Sequence, residues 1–133
     1  MTLKDKRIIV LGGTSGIGLA VAEAAATDGA QVLVASSDDA RVKRALTMLP
    51  ASAEGHVLDL SNATAIEAFF DAVGPLDHLV YTAGESLYAS EARRLPVGHV
   101  ADAQEIAEGY LYLMRQTFVT GQTLVIDGGG LLV

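Results

Sequence analysis

"VLGGTSGIGLA", Val10 to Ala20, closes an aliphatic run on glycine and then opens an alanine-rich stretch. The run, Arg7–Leu11, reads as a strand, and Gly16–Asp28 reads as a helix that ends before Gly29. Three glycines between them have separate uses. Gly12 permits a tight exit from the strand, Gly16 lets backbone approach a diphosphate, and Gly18 lets the helix pack closely on the sheet. An anion placed there meets the positive end of the helix and its unpaired N–H groups. Gly12, Gly13, Thr14, Ser15, Gly16, Ile17 and Gly18 are therefore the candidate cofactor-binding loop, with a plain structural turn as the competing reading. No Lys–Ser/Thr pair follows, which excludes a P-loop.

Outward from this loop, apolar runs and helical periods alternate. Ala30–Ala35, Gly55–Leu60, Asp77–Ala83 and Gln122–Asp127 read as four more strands. Most are continuous rather than alternating, as expected of parallel strands covered on both faces. Val42, Ala45, Leu46 and Leu49 form one helical stripe, stopped by Pro50. Ile66, Phe69, Phe70 and Val73 form a second, with Ser61 as the expected N-cap and Gly74–Pro75 as the stop. Ile106, Tyr110, Leu113 and Met114 form a third, and Asp102 and Glu105 have capping-box spacing. Tyr88, Ala92 and Leu95 predict a short helix broken at Pro96. Strands alternating with helices imply an α/β doubly wound sheet, and no repeat or linker divides residues 1–133 into more than a single domain.

The bulk numbers narrow the function. Among 133 residues, half are hydrophobic and 19% charged, with a net charge of −7. Mean hydropathy is +0.37 and the pI about 4.7. So acidic a chain, with no basic cluster beyond Arg41, Lys43 and Arg44, argues against tracking nucleic-acid phosphates. The apolar run Ile8–Leu11 is too short for a signal segment or membrane helix, so no membrane partner is expected and the expected location is cytoplasmic. Cysteine is absent, which removes disulfides and thiolate chemistry. His56, His78 and His99 lack metal-ligand spacing, so no metal is expected.

The pattern G-x-x-x-G-x-G with "SGIG" resembles the short-chain dehydrogenases/reductases, whose members are NAD(P)-dependent. Further stretches are similar in order: "LDL" with Asp59 and Leu60, where the family's acidic residue contacts adenine; "YTAG", Tyr81–Gly84, where "NNAG" is usual; "RLPVGHVADAQEIAEGYLYLM"; and "FVTGQTLVIDGG", Phe118–Gly129. The resemblance implies a Rossmann-like sheet and adds Asp59, Leu60, Thr82, Ala83 and Gly84 to the cofactor-binding candidates. It also implies what is lacking. Family chains are usually close to twice this length and carry a catalytic Ser, a Tyr-x-x-x-Lys pair and a supporting Asn after "NAG". Here the only lysines are Lys4, Lys6 and Lys43, and no tyrosine has lysine four residues on. A tyrosine that exchanges protons near neutral pH needs a neighbouring ammonium to lower its pKa from about 10. Tyr88, with Arg93 and Arg94 nearby in sequence, is a poor substitute, because those offsets do not share a helix face. Catalytic residues are thus expected to be none, with a deletion junction near 84–86. Removing the family's fifth and sixth strands lets the last strand pair beside the fourth, giving five strands in the order 3-2-1-4-5.

NAD-preferring relatives often have Asp at the position of Ser36, and NADP-preferring ones Arg at that of Ser37. Serine at both, with Arg41 nearby, leans slightly to NADP, although Asp38 and Asp39 argue the other way. The last helix and strand, left uncovered, are the expected homo-oligomer contact. Three readings follow: an NAD(P)-binding domain without normal dehydrogenase catalysis; an oxidoreductase acting on a carbonyl or alcohol through noncognate or partner-chain groups; and a non-binding scaffold.

Overall fold

The structure, a computed structural model, describes residues 2–83 and 96–129. β1 (Arg7–Leu11) lies between β2 (Gln31–Ser36) and β4 (His78–Tyr81), and β3 (Glu54–Val57) pairs with the far side of β2. All pairings are parallel, in the order β3-β2-β1-β4. Four helices are described: α1 (Gly16–Thr27), α2 (Asp39–Leu46), α3 (Ala63–Val73) and α4 (Ala103–Arg115).

The unbroken apolar character of β1 has its cause in two covered faces. Ile8 and Val10 join Val32, Val34 and Val80 in a cluster with Val21, Ala22 and Ala25 of α1 and with Ala107 and Leu111 of α4. Ile9 and Leu11 turn the other way, to Leu33, Ala35 and α3's Phe69 and Val73. Ile8, Ile9 and Val10 are wholly excluded from solvent. At about 25 cal/mol per Å2 of apolar surface, such side chains each contribute roughly 1.5–3 kcal/mol to folding.

Polar ties fix the elements at the N-terminal ends of the strands. Asp77 accepts from Lys6 Nζ at 2.7 Å and from Arg7 N at 2.8 Å, while the Arg7 guanidinium donates to the carbonyls of Val73 and Pro75 at the end of α3. Asp28 Oδ2 accepts from Arg115 Nε and from Leu3 N, both at 3.0 Å, joining the end of α1 to the end of α4. The Arg115 bond chiefly holds the Asp28 carboxyl below its ordinary pKa, and the Lys6 bond does the same for Asp77.

Several expectations are corrected. The third strand covers Glu54–Val57 rather than Gly55–Leu60. The N-cap of α3 is Asn62, whose side chain accepts from Ala65 N at 3.0 Å; Ser61 instead donates both N–H and hydroxyl to Asp59 Oδ1, so its oxygen is turned away from the helix. The sheet has four strands among the described residues, not five. Gln122–Asp127 carries no ladder, and the side chains of Ile126 and Leu124 lie against Gly109 of α4. The short helix around Tyr88 and the junction at 84–86 lie outside the described residues. No described helix is long and apolar enough to cross a membrane.

Candidate functional site

The C-terminal ends of the strands bring the sequence-read residues into one row. Gly12 N donates to Ala35 O, Leu58 N donates to Ser36 O, and Thr82 N donates to Leu11 O, each at 2.9 Å. These bonds place Asp59, Ser36, the glycine loop and Thr82–Ala83 side by side across the sheet. Ligands of open parallel sheets bind in this kind of crevice, where strand order reverses. The reversal here lies between β1 and β4.

Each loop glycine meets a different constraint. Gly12 has φ +85°, and a Cβ there would stand 2.6 Å from Ala83 N. A Cβ on Gly13 would stand 2.7 Å from Val34 Cγ1. A Cβ on Gly18 would collide with the Gly12 carbonyl oxygen and Thr82 Oγ1, so α1 rests directly on the strand exit. Gly16, at φ +53°, is the contrast, because a Cβ there would meet nothing within 4 Å. The loop is thus tightly packed on its protein side and open at Gly16. Thr14 is buried, while Ser15 and Ile17 are exposed.

The N-terminus of α1 differs from the other helix starts. Ser15 occupies the N-cap position in extended conformation, but its side chain makes no capping hydrogen bond. Asp38 caps α2, Asn62 caps α3, and Asp102 with Glu105 closes both bonds of a capping box on α4. The first amides of a helix have no intrahelical acceptor. At α1 no side chain caps them, and the adjoining loop is open at Gly16.

The flanking candidates are already engaged locally. Asp59 Oδ1 accepts from Ser61 N at 2.9 Å and from Ser61 Oγ at 2.7 Å, bonds that lower its pKa. Leu60 packs against the α3-side core. Ser36 is half-buried at the end of β2 and Ser37 is exposed. Arg41 Nε lies 3.8 Å from Asp38 Oδ2, and Lys43 Nζ 2.6 Å from Asp39 Oδ2, so both of these α2 cations have acidic partners. Gly84 lies outside the described residues.

Two contributions had no signal in residue type. The Ala35 carbonyl, which fixes Gly12, is a backbone acceptor that any residue would supply. The Thr82 hydroxyl lies 3.3 Å from the carbonyl oxygens of both Leu11 and Gly12 and shares its single proton between them. Nothing short of the tertiary pairing of β4 with β1 reveals that bond. No group of three or more His, Asp or Glu able to hold a metal occurs among the described residues.

A sequence profile described as short chain dehydrogenase matches residues 6–109. Among curated proteins, the chain is 44% identical over 96 residues to the short-chain dehydrogenase/reductase ATR9 of Stachybotrys chlorohalonatus, covering 62% of this chain and 38% of that protein. It is 36% identical over 121 residues to the short-chain dehydrogenase/reductase ucsE of an Acremonium species, covering 78% and 46%. The chain therefore spans less than half the length of these curated relatives. A glucose dehydrogenase structure from Caenorhabditis elegans, in the apo form, superposes with a TM-score of 0.82 over all of both chains at 17% identity, a likeness of fold alone.

Proposed function

This chain belongs to the short-chain dehydrogenase/reductase family, and we propose that it is an NAD(P)-binding domain of that type without normal dehydrogenase catalysis. The observation that carries the reading is the front of α1: Ser15 makes no side-chain cap, and the adjoining loop is open at Gly16. Backbone amides from Gly12 to Gly18 would hold the diphosphate, Ser36 and Ser37 the adenosine ribose, and Asp59 and Leu60 the adenine. Thr82 and Ala83 would border the nicotinamide side. When bound, the cofactor supplies a hydride donor or acceptor.

The chain's own residues supply the binding but not the proton transfer. Its three lysines lie at positions 4, 6 and 43. Lys6 is paired with Asp77 at the N-terminal end of the sheet, and Lys43 with Asp39 on α2. A tyrosine without a neighbouring ammonium stays protonated near pH 7 and is a poor proton acceptor.

Between the two cofactors, Ser36 tolerates a 2′-phosphate, whereas the Arg41–Asp38 contact weakens the argument that Arg41 would recognise it. Exposed Tyr112, Phe118 and Val125 favour self-association through α4 and the segment after it. Light scattering over a concentration series checks that; a monomer throughout removes it.

Calorimetric titration with NAD+, NADH, NADP+ and NADPH tests the main reading. Saturable binding of at least one is expected, without turnover on a panel of alcohols and carbonyls. Absence of binding to all four leaves the scaffold reading. Cofactor-dependent turnover replaces the proposal with the oxidoreductase reading.

A further inference from the structure

The Gly12–Gly13 peptide is the freest joint of the glycine loop. Neither residue carries a Cβ, so turning the peptide plane between them meets no side chain of its own, and Gly12 already sits at φ +85°. A trans peptide points its C=O and its N–H in opposite directions, so such a flip exchanges donor and acceptor across the loop. In a loop that holds an anion through backbone N–H groups, an outward carbonyl oxygen repels the ligand.

The carbonyl is turned inward in this structure. The Gly12 oxygen rests against α1 at the place a Cβ on Gly18 would fill. Thr82 Oγ1 lies 3.3 Å from it. The same hydroxyl lies 3.3 Å from Leu11 O, but that oxygen already accepts from Thr82 N at 2.9 Å. Among the described residues no backbone N–H donates to Gly12 O, so the hydroxyl proton has its greater use there. On the opposite side of the same peptide, Gly13 N has no backbone acceptor among the described residues. Strand geometry delivers the hydroxyl to this spot. Val80 faces the cluster shared with α1, so residue 82, two positions on, faces the same way. Leu11 is in register with Tyr81, which brings Thr82 level with Gly12.

We propose that Thr82 is a positioning residue for the cofactor loop. Its hydroxyl holds the Gly12–Gly13 peptide with the carbonyl inward, and so keeps a donor rather than an acceptor toward a bound diphosphate. The inference rests on the cofactor reading above. It gives Thr82 a task separate from bordering nicotinamide, because the residue acts through the loop.

Backbone NMR of the unliganded chain reads the lock itself, because a carbonyl carbon moves upfield when its oxygen loses a hydrogen bond. Titration with ADP-ribose and with its 2′-phosphate reads the effect on binding, since both carry the diphosphate and lack nicotinamide. Thr82→Val fills the space of the hydroxyl and Thr82→Ala empties it. Both are expected to move the Gly12 carbonyl carbon upfield and to weaken binding of the tighter probe at least about 5-fold. Thr82→Ser keeps the hydroxyl and is expected to leave that resonance in place and affinity within about 3-fold. An unmoved Gly12 carbonyl in a hydroxyl-free variant, a smaller loss of affinity, or a serine variant that behaves like valine overturns the proposal. So does unfolding of both hydroxyl-free variants, which assigns Thr82 to stability alone. An unmodified chain that binds neither probe overturns it too, and the titration with the four cofactors then decides whether the binding reading falls with it.

Discussion

Helices α1 and α4 begin in opposite ways. At α4 the Asp102 carboxylate accepts from Glu105 N at 2.8 Å and Glu105 accepts from Asp102 N at 2.9 Å, so the first turn is closed by its own side chains. At α1 the cap residue Ser15 contributes no such bond, the first turn has no acidic residue, and positive-φ Gly16 faces open space. Both helices pack on the same sheet face and on each other. The difference therefore lies at their ends, not in their burial. A self-capped end uses its amides for folding, whereas an end without a side-chain cap leaves them able to accept an anion.

The largest expected effect comes from overcrowding the packed side of the glycine loop. Gly18→Val places methyl groups against the Gly12 carbonyl and Thr82, and is expected to cost at least about 3 kcal/mol in urea unfolding and to abolish dinucleotide binding. An unchanged unfolding midpoint would contradict the tight packing of α1 on the strand exit. Gly16→Ala sharpens the point, because nothing protein-borne lies near the new methyl. It is expected to cost about 1–2 kcal/mol through its left-handed backbone alone, and to weaken binding by adding a methyl on the open side.

Smaller effects separate the helix starts from one another. Asn62→Ala and Asp102→Ala each remove a side-chain cap and are expected to lower stability by about 1 kcal/mol. Ser15→Ala removes no capping bond and is expected to change stability by less than about 0.5 kcal/mol. A Ser15→Ala loss equal to that of Asn62→Ala would erase the contrast.

Acid distinguishes the two ends of α1. Asp28, beyond its C-terminal end, and Asp77 have pKa values held below the ordinary 3.8 by Arg115 and Lys6. A carboxyl depressed by folding adds stability that is present above its unfolded pKa and lost as pH falls through the folded one. The melting temperature should therefore fall below about pH 4, and Asp28→Asn should flatten that fall while lowering stability at neutral pH. A melting temperature that rises on acidification would contradict the ties seen at Asp28 and Asp77.

Local signals carried most of what could be read before the structure. Gly12, Gly16 and Gly18 follow an apolar strand and open a helix, and their uses depend on a few consecutive residues. The Asp102–Glu105 box was legible for the same reason. Ser61 has the composition of a cap, but Asp59, two residues earlier, takes its hydroxyl, and composition does not rank such rivals. The 122–127 segment has strand chemistry, yet a strand also needs an edge within reach, which is a tertiary condition. The Thr82 lock on the loop was hidden in the same way. Pairing of Arg41 with Asp38 appears only when side chains are placed, and it weakens the case for NADP.

The central claim is that the amides at the front of α1 hold a dinucleotide diphosphate. Backbone amide NMR during titration with NAD+ and NADPH tests it most directly. Saturable shifts are predicted, largest from Gly13 to Gly18 and weaker at Ser36 and Asp59, with those at the start of α4 unmoved. Shifts absent at Gly13–Gly18, or confined to other surfaces, would contradict it.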